Sequence, residues 1–113
     1  MTYRVLALDL DGTTLTSDHQ IIPAVREAIQ QLRSQIMVLL VTGRHHTAAR
    51  PYYYELGLDT PIISCNGTYI YDYQTNRVLA ENAIPQDIGI QFLQLAKQHD
   101  STIEATANYL IHC

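Results

Sequence analysis

The chain has 113 residues, of which 47% are hydrophobic and 16% charged, with seven Lys and Arg against eleven Asp and Glu for a net charge of −4. These proportions exclude a disordered chain, and basic residues scattered rather than gathered into a stripe argue against nucleic acid as a partner. A single domain of this size buries roughly two-thirds of the surface that its unfolded chain exposes, so a core is expected.

Met1 runs almost directly into an apolar segment, without a basic leader, a small-residue cleavage site or a stretch long enough to cross a bilayer. That reads as a cytoplasmic protein with no membrane partner. Cys65 and Cys113 lie far apart in sequence and read as reduced thiols rather than as a disulfide framework.

Residues 4–8 (RVLAL) and 36–41 (IMVLLV) are short continuous apolar runs, the pattern of strands buried on both faces of a parallel sheet. Between them Ala24, Val25, Ala28, Ile29 and Leu32 recur at helical spacing behind Pro23, which suits a first helical position. After the second strand, residues 44–57 read as a helix that starts near Arg44 and ends at Gly57, with Pro51 kinking or breaking it. Residues 62–65 (IISC) make a third strand, and YIYDY, QTN and RVLAE read as a hairpin. The alternation of strands and helices argues for a parallel α/β sheet. Beyond residue 83, Ile88, Phe92, Leu95 and Ala96 form one helical stripe, and residues 101–113 are strand-like, the opening of a second unit.

Asp9-Leu10-Asp11-Gly12-Thr13-Thr14 stands where the first apolar run ends. Alternation along an extended chain puts Asp9 and Asp11 on one side, and a hard divalent cation such as Mg²⁺ would relieve the repulsion between them. Gly12 permits a sharp turn. A calcium loop counted from Asp9 fails, because its sixth position is Thr14 rather than Gly and its twelfth is Gln20 rather than Glu. An acidic surface turn remains as the plain structural alternative.

Val41-Thr42-Gly43-Arg44 ends the second strand, where a helix N-terminus would offer amides and a hydroxyl to a phosphate oxygen. Without the acidic loop it reads as a cap and a tight turn. Ser64-Cys65-Asn66-Gly67 ends the third strand on the same edge, and Asn-Gly is also a common turn. His45 and His46 point about 100° apart on a helix and read as helix-surface or pocket-rim residues rather than a metal pair. Tyr52, Tyr53 and Tyr54 read as aromatic packing.

Residues 5–16 and 39–44 resemble the first two motifs of haloacid-dehalogenase-type phosphatases. The segment CNG at 65–67 and the hairpin behind it resemble the Cof-type subgroup, and TGRHH with CNGTYIYDY is similar to bacterial pyridoxal phosphate phosphatases. The resemblance implies a Rossmann-like parallel sheet, with residues 1–82 the N-terminal part of the core and 83–113 the start of an α+β cap domain. It implies Asp9 as the nucleophile and Asp11 as the acid and base. It implies Mg²⁺ held by the Asp9 side chain and the Asp11 backbone carbonyl, and phosphate contacts from the Leu10 amide, Thr42 and Gly43, with Arg44 beside them and Asn66 near the substrate.

The family also carries a later Lys that neutralises phosphate and a later acidic pair that completes the metal site, and neither is present. Lys97, the only Lys, lies in the first presumed cap helix and suits that role poorly. A fragment or truncated product, inactive alone, is therefore expected. Three functions follow: a hydrolase of small phosphorylated metabolites such as pyridoxal phosphate or sugar phosphates, an inactive remnant keeping a partial phosphate and metal site, and a phospho-acceptor receiver domain. The receiver is disfavoured because both acids share one loop with Gly-Thr. Neither the physiological substrate nor an oligomeric state is set by these residues.

Overall fold

The computed structural model describes residues 2–99. Strands β1 (Val5–Leu8) and β2 (Met37–Leu40) pair in parallel, with Val5 opposite Met37 and Leu8 opposite Leu40. Helix α1 (Pro23–Leu32) connects them, with Pro23 at its first position and Ile29 buried on its inner face. Helix α2 (His46–Glu55) follows, then β3 (Ile62–Ser64), β4 (Tyr69–Asp72) and β5 (Arg77–Glu81), which form an antiparallel sheet in that order. The two sheets meet at one parallel bridge between Val41 and Ile63, where the Thr42 amide donates to the Ile63 carbonyl at 2.9 Å. The fold is thus mixed α/β, with the parallel pair and the hairpin that the sequence predicts.

The core lies between the helices and the strands, where Leu10, Val38, Leu40, Ala49, Tyr53, Leu56 and Ile62 are almost wholly excluded from water. Ala49 and Tyr53 are four residues apart on α2, so one face of the helix supplies both. The helix ends in a left-handed cap at Gly57 (φ +67°), whose amide donates to Tyr54 while that of Leu58 reaches Tyr53. Only glycine takes this conformation without cost, so Gly57 ends the helix where the sequence reading places its end. The β4–β5 turn is fixed by Asp72, whose carboxylate accepts from the Gln74 amide and the Thr75 hydroxyl.

Three expectations are corrected. Helix α2 begins at His46 rather than near Arg44, because His45 stays extended (φ −63°, ψ 148°) and its side chain accepts from the Thr47 amide as an N-cap. The helix also runs through Pro51 without a break. Strand β1 is not buried on both faces: Val5 is 51% exposed and Ala7 is exposed with it, while the alternating Leu6 and Leu8 pack against the core, and among the described residues β1 pairs with β2 alone. Helix α3 (Gln86–Gln98) forms where the stripe predicts it, yet Ile88, Phe92 and Leu95 are all exposed. The strand expected over residues 101–113 lies outside the described residues.

An apolar strand edge with no strand paired to it invites pairing with another chain, and an exposed apolar helical stripe does the same. Prepared as these 113 residues, the polypeptide is expected to self-associate with rising concentration in sedimentation velocity, and Val5→Lys to reduce that association. A strictly monomeric species at high concentration would contradict the role given to this edge.

Candidate active site

Three loops gather at the carboxyl ends of β1, β2 and β3. The first leaves β1 at Asp9, which is still extended (φ −79°, ψ 152°), and turns tightly over Leu10–Thr14. Leu10 and Thr14 are buried and pin the turn from below, while the Thr14 hydroxyl donates to the Asp9 carbonyl at 2.6 Å and the Leu15 amide to the Leu10 carbonyl at 2.9 Å. Gly12 takes φ +75° with nothing near the place of a Cβ, so its requirement is conformational rather than steric. Asp9 and Asp11 are therefore related by this turn and not by strand alternation. The Leu10 amide donates to the Asp9 carboxylate at 2.8 Å.

The second loop, 42–45, is held by backbone bonds to the third. The Asn66 amide donates to the Thr42 carbonyl at 3.2 Å, and the Cys65 amide to the Arg44 carbonyl at 3.1 Å. Thr42 is buried, and its hydroxyl accepts from the Arg44 amide at 3.1 Å, so it closes the turn ahead of α2 instead of capping the helix itself. Asn66 is left-handed (φ 56°), a conformation that asparagine tolerates better than most residues.

A Cβ added at Gly43 would stand 3.0 Å from the Asn66 Oδ1. Because that atom ends a side chain that can turn aside, Gly43→Ala is expected to cost only about 1 kcal/mol in chemical unfolding. Asn66→Gly removes the obstruction and suits the positive φ, so the double variant is expected to recover most of that loss. Strictly additive single costs would show that the two positions do not touch in solution.

Arg44 joins the second loop to the first. Its Nε donates to Asp11 Oδ2 and its Nη2 to Asp11 Oδ1, both at 2.7 Å. The His19 ring nitrogen lies 3.3 Å from the Arg44 Nη2 and 3.6 Å from Asp11 Oδ1. Tyr52 lies under the guanidinium, 5.3 Å from its central carbon, and donates its hydroxyl to the His19 carbonyl at 3.0 Å. The Arg44 hydrogen bond holds the Asp11 carboxyl below its ordinary value, against the opposing effect of burial and with lesser contributions from the Arg44 charge and from His19. The same bond raises the Arg44 guanidinium.

The structure thus brings Asp11 and Arg44 into contact, and Thr42, Gly43 and Asn66 into another. It also adds His19 and Tyr52, to which the sequence gives no place in the site. Neither has a motif, and each comes close only through the turn after Gly12 or the first turns of α2. His45 caps α2, and His46 stacks on Tyr71 at 4.0 Å and Tyr69 at 5.3 Å, so the two histidines serve the helix start and an aromatic stack. Tyr53 is core and Tyr54 is exposed, in keeping with aromatic packing.

Among the described residues no group of three or more His, Cys, Asp and Glu could hold a metal ion. The Asp9 carboxylate and the Asp11 loop carbonyl are hard oxygen donors, which fit Mg²⁺ in kind though they are fewer than its octahedral complement. Among the described residues no helix is long and apolar enough to cross a membrane.

Residues 6–111 match a family described as haloacid dehalogenase-like hydrolase. The chain is 45% identical over 100 residues to the pyridoxal phosphate phosphatase YbhA of Escherichia coli (strain K12), covering 88% of this chain and 37% of that protein. It is 35% identical over 102 residues to the HMP-PP phosphatase of Serratia proteamaculans (strain 568), covering 89% and 37%. It therefore spans little more than a third of the length of these relatives. Among solved structures, a haloacid dehalogenase-like hydrolase from Bacteroides thetaiotaomicron superposes with a TM-score of 0.79 at 26% identity over 87% of this chain and 38% of that one. One from B. subtilis gives 0.75 at 31% identity over 87% and 34%.

Proposed function

Since the chain belongs to the haloacid dehalogenase-like hydrolase family, we propose that the protein carrying it is a Mg²⁺-dependent phosphatase of small phosphate monoesters, of the Cof type, with pyridoxal phosphate the first substrate to test. The observation that carries this reading is the acidic turn at the end of β1, facing the 42–45 and 65–67 loops at one edge of the strands. Likeness to phosphatases over most of this chain supports it.

In this reading an Asp9 carboxylate oxygen attacks phosphorus as the bond to the leaving oxygen breaks, and the Asp11 carboxylic acid gives that oxygen its proton. The Asp11 carboxylate then takes a proton from water, whose oxygen attacks phosphorus and frees Asp9 and inorganic phosphate. The Leu10 amide, Thr42 and Gly43 would hold phosphate oxygens, with Arg44 and Asn66 bordering the substrate. Mg²⁺, when bound at the Asp9 carboxylate and the Asp11 carbonyl, would supply charge neutralisation for the approaching phosphate. Residues 83 onward would open the cap. Remaining metal ligands and a phosphate-binding Lys would come from chain beyond these elements.

The test is hydrolysis of pyridoxal phosphate and p-nitrophenyl phosphate by the whole protein. Activity is expected to vanish with EDTA and to return with added Mg²⁺. Hydrolysis that persists without metal would overturn the reading, and so would failure of a well-folded whole protein to hydrolyse any monoester.

A further inference from the structure

The sequence reading sets Arg44 beside the phosphate, but the structure commits its guanidinium elsewhere. Its Nε and Nη2 meet the two oxygens of Asp11 in parallel at 2.7 Å, the two-point geometry that fixes the plane of a carboxylate as well as its position. The arginine is itself restrained at several points. Its carbonyl accepts from Cys65 and its amide donates to Thr42, so the backbone is fastened to the third loop and to its own turn. The Tyr52 ring lies beneath the guanidinium, and the Tyr52 hydroxyl reaches the His19 carbonyl, bringing the His19 ring alongside the pair.

We infer that Arg44 is a positioning residue for the Asp11 carboxylate, held by Tyr52 and His19, rather than a direct ligand of the substrate phosphate. The inference rests on the proposed phosphatase reading. Each carboxylate oxygen has about two lone-pair sites, so the fork occupies one on each and leaves the others for a water or a leaving oxygen. A carboxylate fixed in plane presents those remaining sites in one direction. On an exposed turn beside Gly12, an unheld Asp11 side chain would sample several rotamers, and misplacing an acting group by about 1 Å can cost about 100-fold in rate.

The two roles separate by reaction step. With p-nitrophenyl phosphate the leaving group needs little protonation, so phosphorylation of Asp9 hardly depends on Asp11, whereas breakdown of the phosphoenzyme depends on Asp11 to activate water. In rapid-quench measurements on the whole protein with Mg²⁺, Arg44→Lys keeps the charge but loses the fork. It is expected to slow phosphoenzyme breakdown 10-fold or more, while the burst of p-nitrophenol and the KM stay within about 3-fold of the parent. In an Asp11→Asn background the same substitution is expected to leave breakdown unchanged, an outcome that general structural damage would not give.

A slowed burst with a raised KM would assign Arg44 to the phosphate and overturn the inference. Unchanged breakdown would overturn it too. If the parent enzyme forms no phosphoenzyme at all, it is the phosphatase reading that fails. Should Arg44→Lys fold poorly, Tyr52→Leu removes the supporting ring and is expected to slow breakdown selectively in the same way; a slowed burst or unchanged breakdown there counts equally against the inference.

Discussion

Replacing Asp9 with Asn in the whole protein is expected to lower turnover by a factor on the order of 10⁴ or more, since the amide cannot take up the phosphoryl group and no neighbour stands in its place. Of the carboxylates in the site, Asp11 is tied to Arg44 by both of its oxygens. The Asp9 carboxylate receives only the amide of the next residue and stands exposed at the strand end. Asp11→Asn is expected to slow turnover strongly too, but at a different step, because in the proposed reaction it spares the nucleophile and removes the group that would activate water. The stability of both variants should stay close to the parent's, as both side chains are exposed. An Asp9→Asn protein with near-normal turnover would remove the basis for nucleophilic catalysis at this position.

Tyr53→Ala is expected to have the largest effect on folding. The side chain is wholly buried, with ring centres 4.4 Å from Tyr73 and 5.4 Å from Tyr54. Truncating an aromatic residue in such a place removes its transfer free energy and leaves a cavity, typically costing about 3–5 kcal/mol. Against a total stability of about 5–15 kcal/mol, that loss removes between about a fifth and all of it. Chemical unfolding followed by far-ultraviolet circular dichroism checks it, and a loss below about 1 kcal/mol would mean that the core closes around the gap.

The comparison of Tyr53 with Arg44 shows which features were legible in the sequence. Periodicity marks what a residue does within its own element, so α1, the two parallel strands, the hairpin and the stripe on α3 could all be read from spacing. The acidic loop was legible because both carboxylates and the glycine that turns the chain at φ +75° lie within four consecutive residues. The start of α2 was not, since the group that caps it is a histidine ring, an uncommon cap, and the Thr-Gly before it imitates a helix start.

Contacts between loops left no trace in spacing. Asp11 and Arg44 are separated by 33 positions, and so are His19 and Tyr52. The fit of Gly43 against Asn66 likewise depends on how β2 and β3 come side by side at the Val41–Ile63 bridge. The exposure of β1 could not be read either. A continuous apolar run tells what a strand would bury but not what lies against it: Leu6 and Leu8 pack against the core, while among the described residues only β2 pairs with the strand.

The nucleophilic role of Asp9 can be tested in a single experiment. The Asp11→Asn variant of the whole protein would be mixed with p-nitrophenyl phosphate and Mg²⁺, quenched in acid and digested. Mass spectrometry is expected to find phosphate on the peptide that contains Asp9, and hydroxylamine, which cleaves acyl phosphates, to remove it. Hydrolysis of the substrate with Asp9 unmodified at every quench time, or a stable phosphate on another residue, would contradict catalysis through an aspartyl-phosphate at the end of β1.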